Sequence, residues 1–278
     1  MIKFAHITDP HLIKPGERLY GEDPCQGFRA ALAHIARHHG DAEFVAVTGD
    51  LTNGGAAEGY AALRDAATTL PMPVFAIPGN HDDRETMASV MPDIPRDDNG
   101  FIQYAVVRQW GVCIFLDSLL PGSSSGRLCE QRLEWLRETL ARHTHMPAYL
   151  FMHHPPLAIG MPGMDAIGLQ NPQELLRVLK THGNIRHLFF GHVHRAVSGT
   201  WHGIPYSAQR GTNHQMELDT SDSGEIVGSL ETPAYSLVTG NADALSVHVV
   251  AYADAAPRFP LKSREARLAQ SRDALPSP

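Results

Sequence analysis

Residues 74–82 read Val-Phe-Ala-Ile-Pro-Gly-Asn-His-Asp. Two β-branched residues and a phenylalanine spell a short buried strand, and Pro78-Gly79 stops it. Three side chains able to hold a metal ion or a proton follow at once. Four more stretches repeat this grammar. Residues 2–7 are apolar and lead to Asp9-Pro10-His11, and residues 44–48 end in Gly49-Asp50. Residues 148–152 end in His153-His154-Pro155-Pro156, and residues 185–190 end in Gly191-His192-Val193-His194. Helical spacing separates the first three runs. Phe28, Ala31, Leu32 and Ile35 share one face and Gly40 closes it; Tyr60, Leu63 and Ala67 share another, broken by Pro71 and Pro73. A β-α-β-α-β order predicts parallel strands joined by right-handed crossovers, hence an α/β fold. In open α/β sheets the ligand crevice lies beyond the carboxyl ends of the strands, where these polar tails fall.

The rest of the chain continues the pattern. Residues 101–107 and 112–117 read as neighbouring strands, and Leu133, Leu136 and Leu140 line a helix face. Asn171-Pro172-Gln173-Glu174 has the form of a helix start with Asn171 as N-cap. Residues 204–252 read as β segments beyond what the repeated core needs, and residues 255–278 as a loosely packed tail. One domain over residues 1–254 is expected.

Composition narrows the function. The 278 residues are 43% hydrophobic, enough for a full core, and 23 Lys+Arg against 30 Asp+Glu leave a net charge of −7. That balance argues against a broad basic face for a nucleic-acid polymer. No window approaches the roughly 18 apolar residues of a membrane span, so no membrane partner is expected. The N-terminus lacks the basic and apolar runs of a secretory leader. Cys25, Cys113 and Cys129 form neither a paired set nor a metal knuckle. A reduced, cytoplasmic setting follows.

The 17 histidines stand out. Asp-x-His is expected by chance about once in such a chain, so it carries nothing alone. Gly-His-x-His is expected about 0.09 times and Gly-Asn-His-Asp about 0.002 times, so the ordered set is not accidental. Two divalent ions held about 3.5–4 Å apart need a bridging carboxylate, and Asp50 on its tight turn suits that role. One ion can take Asp9, His11, Asp50 and His194, the other Asp50, Asn80, His153 and His192. Imidazole with carboxylate suits Fe, Mn, Zn or Co. His192 and His194 at i, i+2 point apart on a regular strand, so a loop must aim them. The neutral Asn80 leaves an exchangeable position, the mark of a catalytic site.

These motifs resemble the calcineurin-like metallophosphoesterases, from Asp9 to His194 and in order. Leu19-Tyr20-Gly21, residues 151–156, Met164-Asp165 and Asn213-His214-Gln215 are similar to the branch of class III cyclic-nucleotide phosphodiesterases and glycerophosphodiesterases. The resemblance implies a four-layer αββα sandwich with two divalent metal ions on the seven ligands named. It further implies that His81 touches the phosphoryl group, that His214 lies near the substrate, and that residues 204–252 build a homo-oligomer. The expected reaction is hydrolysis of small phosphodiesters, 3′,5′-cyclic nucleotides or glycerophosphodiesters, by a metal-bound hydroxide. Asp82 is read as orienting His81, and His154 as a pocket or supporting residue. A phosphomonoesterase or nucleotidase using the same ions is the alternative; a non-catalytic scaffold is the reading from another class. His34, His38 and His39 read as solvated, His143, His145, His182, His187 and His202 as surface, and His6 and His248 as core or sheet-face residues.

Overall fold

The computed structural model describes residues 1–256, so the tail from residue 257 onward lies outside the described residues. Strand β1 (Ile2–Ile7), helix α1 (Pro24–His38), β2 (Val45–Thr48), α2 (Ala57–Ala67) and β3 (Val74–Ile77) follow the order read from the sequence. A short helix α3 (Arg84–Val90), absent from that reading, leads to an antiparallel pair, β4 (Tyr104–Arg108) and β5 (Gly111–Phe115). Next come α4 (Glu130–Arg142), β6 (Ala148–Phe151), the single turn α5 (Pro162–Asp165), α6 (Pro172–His182) and β7 (Ile185–Phe190). The chain then forms β8 (Val197–Trp201), β9 (Ile204–Ala208), β10 (Gln215–Met216), β11 (Gly228–Ser229), β12 (Tyr235–Gly240) and β13 (Leu245–Val250).

Two sheets result, in the orders β13-β12-β1-β2-β3 and β4-β5-β6-β7-β9-β8, with β10-β11 a separate small ribbon. β1-β2-β3 and β5-β6-β7 are parallel. The alternation of side chains builds the layers. Val112, Ile114, Leu150, Leu188 and Phe190 pack with Leu133, Leu136 and Leu140 of α4 and Leu175, Leu176 and Leu179 of α6. Their strand neighbours Cys113, Phe115, Tyr149, Phe151 and Phe189 join Phe4, Val47 and the buried face of α1 in the other cluster. Helices, five-stranded sheet, six-stranded sheet and helices form the αββα sandwich.

A row of rings runs across the inner face of the larger sheet. Tyr104, Phe115, Phe151 and Phe189 are paired in register on β4, β5, β6 and β7. They stack at centroid distances of 5.0, 4.6 and 4.9 Å. Phe4 of β1 meets Phe151 and Phe189 edge-on at 5.7 and 5.4 Å. Offset and edge-to-face contacts of this kind contribute about 0.5–1.5 kcal/mol each beyond burial, and they lock the two sheets in one relative position.

Several expectations change. β9 pairs with β7, and β12 inserts beside β1, so most of residues 204–252 completes the two sheets. The stretch around β10-β11 is what stands outside them. β4 begins at Tyr104 because Phe101 lies in a loop, its ring under the guanidiniums of Arg84 and Arg132. Both arginines engage the buried Asp117. Asn171 does not cap α6 with its side chain; its amide bonds the backbone of Leu128 in both directions and ties α6 to the start of α4. His34 bonds Tyr235 of β12 through Nδ1 at 2.9 Å instead of facing only water. His187, read as a surface residue, is buried and bonds Ser207 Oγ at 2.9 Å, because it alternates onto the inner face with Phe189. Among the described residues no helix is long and apolar enough to cross a membrane.

His6 and His187 thus both sit between the sheets. Burial pushes His6 down to about 3, helped by His187, and His187 down to about 4. The unfolded chain binds protons at these sites below its ordinary value of about 6.5, whereas the folded chain does not. Their contribution to stability is therefore present above that value and lost as pH falls towards 4. Each adds up to about 1.4 kcal/mol per pH unit to the slope. Urea denaturation between pH 6 and 4 should be visibly flatter for a His6→Gln, His187→Gln protein; an unchanged slope refutes this account.

Candidate metal centre

The polar tails of β1, β2, β3, β6 and β7 meet at one edge of the sandwich. Asp9, His11, Asp50, His153, His192 and His194 are all buried there. The local backbone explains how. Asp9, His11, Asp50, His192 and His194 have φ of 51°, 46°, 45°, 71° and 48°. Non-glycine residues seldom take this left-handed region, at roughly 1 kcal/mol or more each, and such strain gathers at functional sites. The turn lets His192 and His194 address a common centre despite their i, i+2 spacing. Gly79 is required by close approach: a Cβ there would overlap Asp50 and the His153 ring.

Two candidate ligand sets lie around one carboxylate. In the first, His11 Nε2 is 3.1 Å from His194 Nε2 and 3.5 Å from Asp50 Oδ2, and His194 Nε2 is 3.4 Å from Asp9 Oδ1. In the second, His153 Nε2 is 3.3 Å from Asp50 Oδ1 and 3.1 Å from Asn80 Oδ1. His192 Nδ1 is 3.0 Å from Asn80 Oδ1 and 3.3 Å from His153 Nε2. Asp50 thus presents Oδ2 to one set and Oδ1 to the other. Donors bound at about 2.0–2.1 Å to one cation stand roughly 3.0–3.4 Å apart, so the spacing fits a metal ion in each set. The Asp9, His11, Asp50 and His194 atoms lie within 4.8 Å of one another.

The charge state fits as well. Burial, opposed by His153 and assisted by Asp50, raises Asp9 to about 7. Burial opposes ionisation of Asp50, but His153 and His11 hold it well below the ordinary carboxylate range. His153 is the counterpart, lifted to about 9 by Asp50 against its own burial. Burial depresses His11, His192 and His194, the last two to about 3 and about 4, so their lone pairs are free at neutral pH. His153 is thus the cationic partner of Asp50 when no ion is bound, and a divalent ion held by this site would replace that proton as the counter-charge.

Outer contacts orient the rings. His11 Nδ1 lies 3.2 Å from Asn53 Oδ1, His153 Nδ1 2.8 Å from the Thr48 carbonyl and His194 Nδ1 2.9 Å from the His214 carbonyl. Thr8 donates to Asp9 Oδ2 at 2.6 Å. Sequence reasoning missed Asn53, Thr48 and Thr8, because isolated polar residues carry no pattern and Thr48, the last residue of β2, acts through its backbone carbonyl. His81 is at the mouth, half exposed, its backbone N–H donating to Asp50 Oδ1 at 2.9 Å and its ring 4.9 Å from His11. Asp82 does not orient that ring. Its two oxygens accept the N–H groups of Leu51, Thr52 and Gly79 and the hydroxyl of Tyr60. It braces the β2 tail to the β3 tail. His154 is completely buried behind His153 and His192, so it forms no pocket wall.

His214 does border a pocket. Its ring stands 4.8 Å from His11 and 4.5 Å from His194, and Tyr20 covers it at 4.7 Å. Tyr20, Met216, Ile226 and Leu230 line a cavity of about 520 Å³ there.

The calcineurin-like phosphoesterase family matches residues 2–196, which contain every candidate ligand named above. The chain belongs to the calcineurin-like phosphoesterases. Among similar phosphoesterases, a protein of Rhodopseudomonas palustris named a probable cyclic nucleotide phosphodiesterase is 40% identical over 94% of this chain and 96% of its own. One of Arcobacter nitrofigilis, named a probable glycerophosphodiester phosphodiesterase, is 30% identical over 84% and 86%. A dimetal phosphatase from Danio rerio, 17% identical, superposes with a TM-score of 0.69 over 89% of this chain and 95% of that one, which shows the shared fold.

The brace and the mouth residue of this phosphoesterase should separate experimentally. Asp82→Ala strands three buried N–H groups and should cost about 2–4 kcal/mol of metal-free stability. His81→Ala, at an exposed site, should change it by less than about 0.5 kcal/mol. Equal stabilities in chemical denaturation would refute the division.

Proposed function

We propose that this chain hydrolyses small phosphodiesters, 3′,5′-cyclic nucleotides or glycerophosphodiesters, with two divalent ions of the Fe, Mn, Zn or Co group. The observation that carries this is Asp50, whose two oxygens each serve a separate set of buried donors. The first ion would be held by Asp9, His11, Asp50 and His194, the second by Asp50, Asn80, His153 and His192. When bound, the ions supply Lewis acidity towards phosphoryl oxygens and an activated water.

The chain's own residues do the rest. His81 would donate a hydrogen bond to a phosphoryl or leaving oxygen; its half-exposed ring, with Nε2 4.0 Å from Asp50 Oδ2, supports that role. Asp82 keeps the His81 and Asp50 loops at fixed separation. Tyr20 and His214 supply ring faces, and Ile226 and Leu230 an apolar wall, beside the first set. A flat base fits such a wall better than glycerol, which favours the cyclic nucleotides. Tyr20, 68% exposed at φ 55°, is held in a strained turn facing that pocket. The exposed Leu218, Val227 and Leu230 near the β10-β11 ribbon support self-association into a dimer or larger homo-oligomer. The free cysteines suit a cytoplasmic setting.

Chelation should lower hydrolysis of bis(p-nitrophenyl) phosphate by roughly two orders of magnitude or more, and Mn²⁺, Co²⁺ or Zn²⁺ should restore it. In the reloaded protein His81→Ala should reduce kcat by about 10²–10⁴. Turnover of p-nitrophenyl phosphate about tenfold or more above the diester would replace this reading with a phosphomonoesterase.

A further inference from the structure

Three of the four candidate imidazole ligands have a partner for the nitrogen that faces away from the metal site: Asn53 for His11, the Thr48 carbonyl for His153 and the His214 carbonyl for His194. His192 is the exception. Its Nδ1 faces Asn80 and His153, and its Nε2 is buried with no partner among the described residues. A neutral imidazole has one N–H and one lone pair. If the Nδ1 lone pair serves the metal, the proton sits on Nε2 and becomes a buried donor. Metal-bound histidines almost always give that proton to an acceptor, which fixes ring and tautomer.

The same packed group contains a second orphan. His154 Nε2 is also buried and unpartnered. The His154 and His192 ring centroids are 4.9 Å apart, and one ring nitrogen each from His153, His154 and His192 lies within 4.8 Å of the other two. The far side of His154 has defined contacts. Its Nδ1 lies 2.8 Å from Ser118 Oγ, which also receives the His154 backbone N–H at 3.4 Å. The hydroxyl oxygen has two lone pairs, so it can accept both protons. Gly126 backs onto that edge of the ring, and a Cβ there would overlap Nδ1 and Cγ. With its proton on Nδ1, His154 keeps an Nε2 lone pair that has no partner among the described residues, beside the His192 ring; the two Nε2 atoms are not hydrogen-bonded to each other in this structure.

We propose that His154 is a positioning residue for the second metal site: anchored by Ser118, its unpartnered Nε2 is the acceptor towards which the His192 Nε2–H closes when His192 serves as an Nδ1 ligand. The proposal rests on the reading of His192 as a ligand, and it makes the second histidine of His153-His154 a part of the metal centre that never touches substrate.

Two near-isosteres separate this role from simple packing. An asparagine amide reaches about as far as imidazole Nδ1, so His154→Asn keeps the Ser118 contact and loses the acceptor. A glutamine reaches about as far as Nε2, so His154→Gln keeps the acceptor. Zinc affinity of the second site, read by chelator competition on the full chain, should weaken about 10–100-fold in His154→Asn and change less than about threefold in His154→Gln. His192→Ala is the control for the underlying reading. If it retains both zinc ions, His192 is not a ligand and that reading fails. If it loses one ion while His154→Asn binds within threefold of the parent, the positioning role alone fails. Long-range ¹H–¹⁵N spectra of the zinc-loaded parent give an independent readout that needs no variant to fold. The expected tautomers are Nδ1–H for His154 and Nε2–H for His192; an Nε2–H His154 overturns the proposal.

Discussion

A single carboxylate, reached from two sides, is the constraint on which the rest of this structure depends. Asp50 is buried, and its oxygens face His11 on one side and His153 on the other. His11 follows β1 and His153 follows β6, so the two sheets must end at the same point. The aromatic layer between them enforces this. Phe4 packs against Phe151 and Phe189, which precede His153 and His192 by two and three residues. A sheet displacement of about one residue spacing, roughly 3.3 Å, would separate the ligand sets. Core packing is therefore also site geometry here.

The centre is costly when empty. Five ligand-bearing residues hold left-handed backbone, and two carboxylates are buried close together. These features persist only if the surroundings over-determine them. Backbone ladders below, the Asp82 brace beneath the turns and the carbonyl or amide partners behind the imidazoles perform that task. The Asp82 network shows the division of labour: the side chain next to the exposed His81 is spent on backbone N–H groups, and His81 is left free at the mouth.

Fold alone does not decide chemistry. The sandwich is shared with a phosphatase at 17% identity. The walls beside the candidate metal site lie outside the sheets: the strained Tyr20 turn, the His214 loop and apolar residues around β10-β11. A net charge of −7 does not argue against a phosphate site, because ions held by the candidate centre would supply local positive charge that composition does not count.

Most strands and helices, and the candidate ligands, were legible in the sequence because they follow short-range rules. Apolar runs of the right length announce β1, β2, β3, β6 and β7, and metal-binding side chains immediately after them mark one edge of a parallel sheet. Asp9, His11, Asp50, Asn80, His153, His192 and His194 could all be named in this way. Tertiary structure decided what depends on distant partners. It placed β12 beside β1 across more than two hundred residues, buried His187 on an inner face, and turned Asp82 from its neighbour His81 towards Leu51 and Thr52. Of the two places read for His154, pocket or support, it chose the back of the centre, and it recruited Asn53, Thr48 and Ser118 as supports. The reason is physical. A side chain's type sets what it can bind, but which atom it meets is fixed only when strands from opposite ends of the chain pack together.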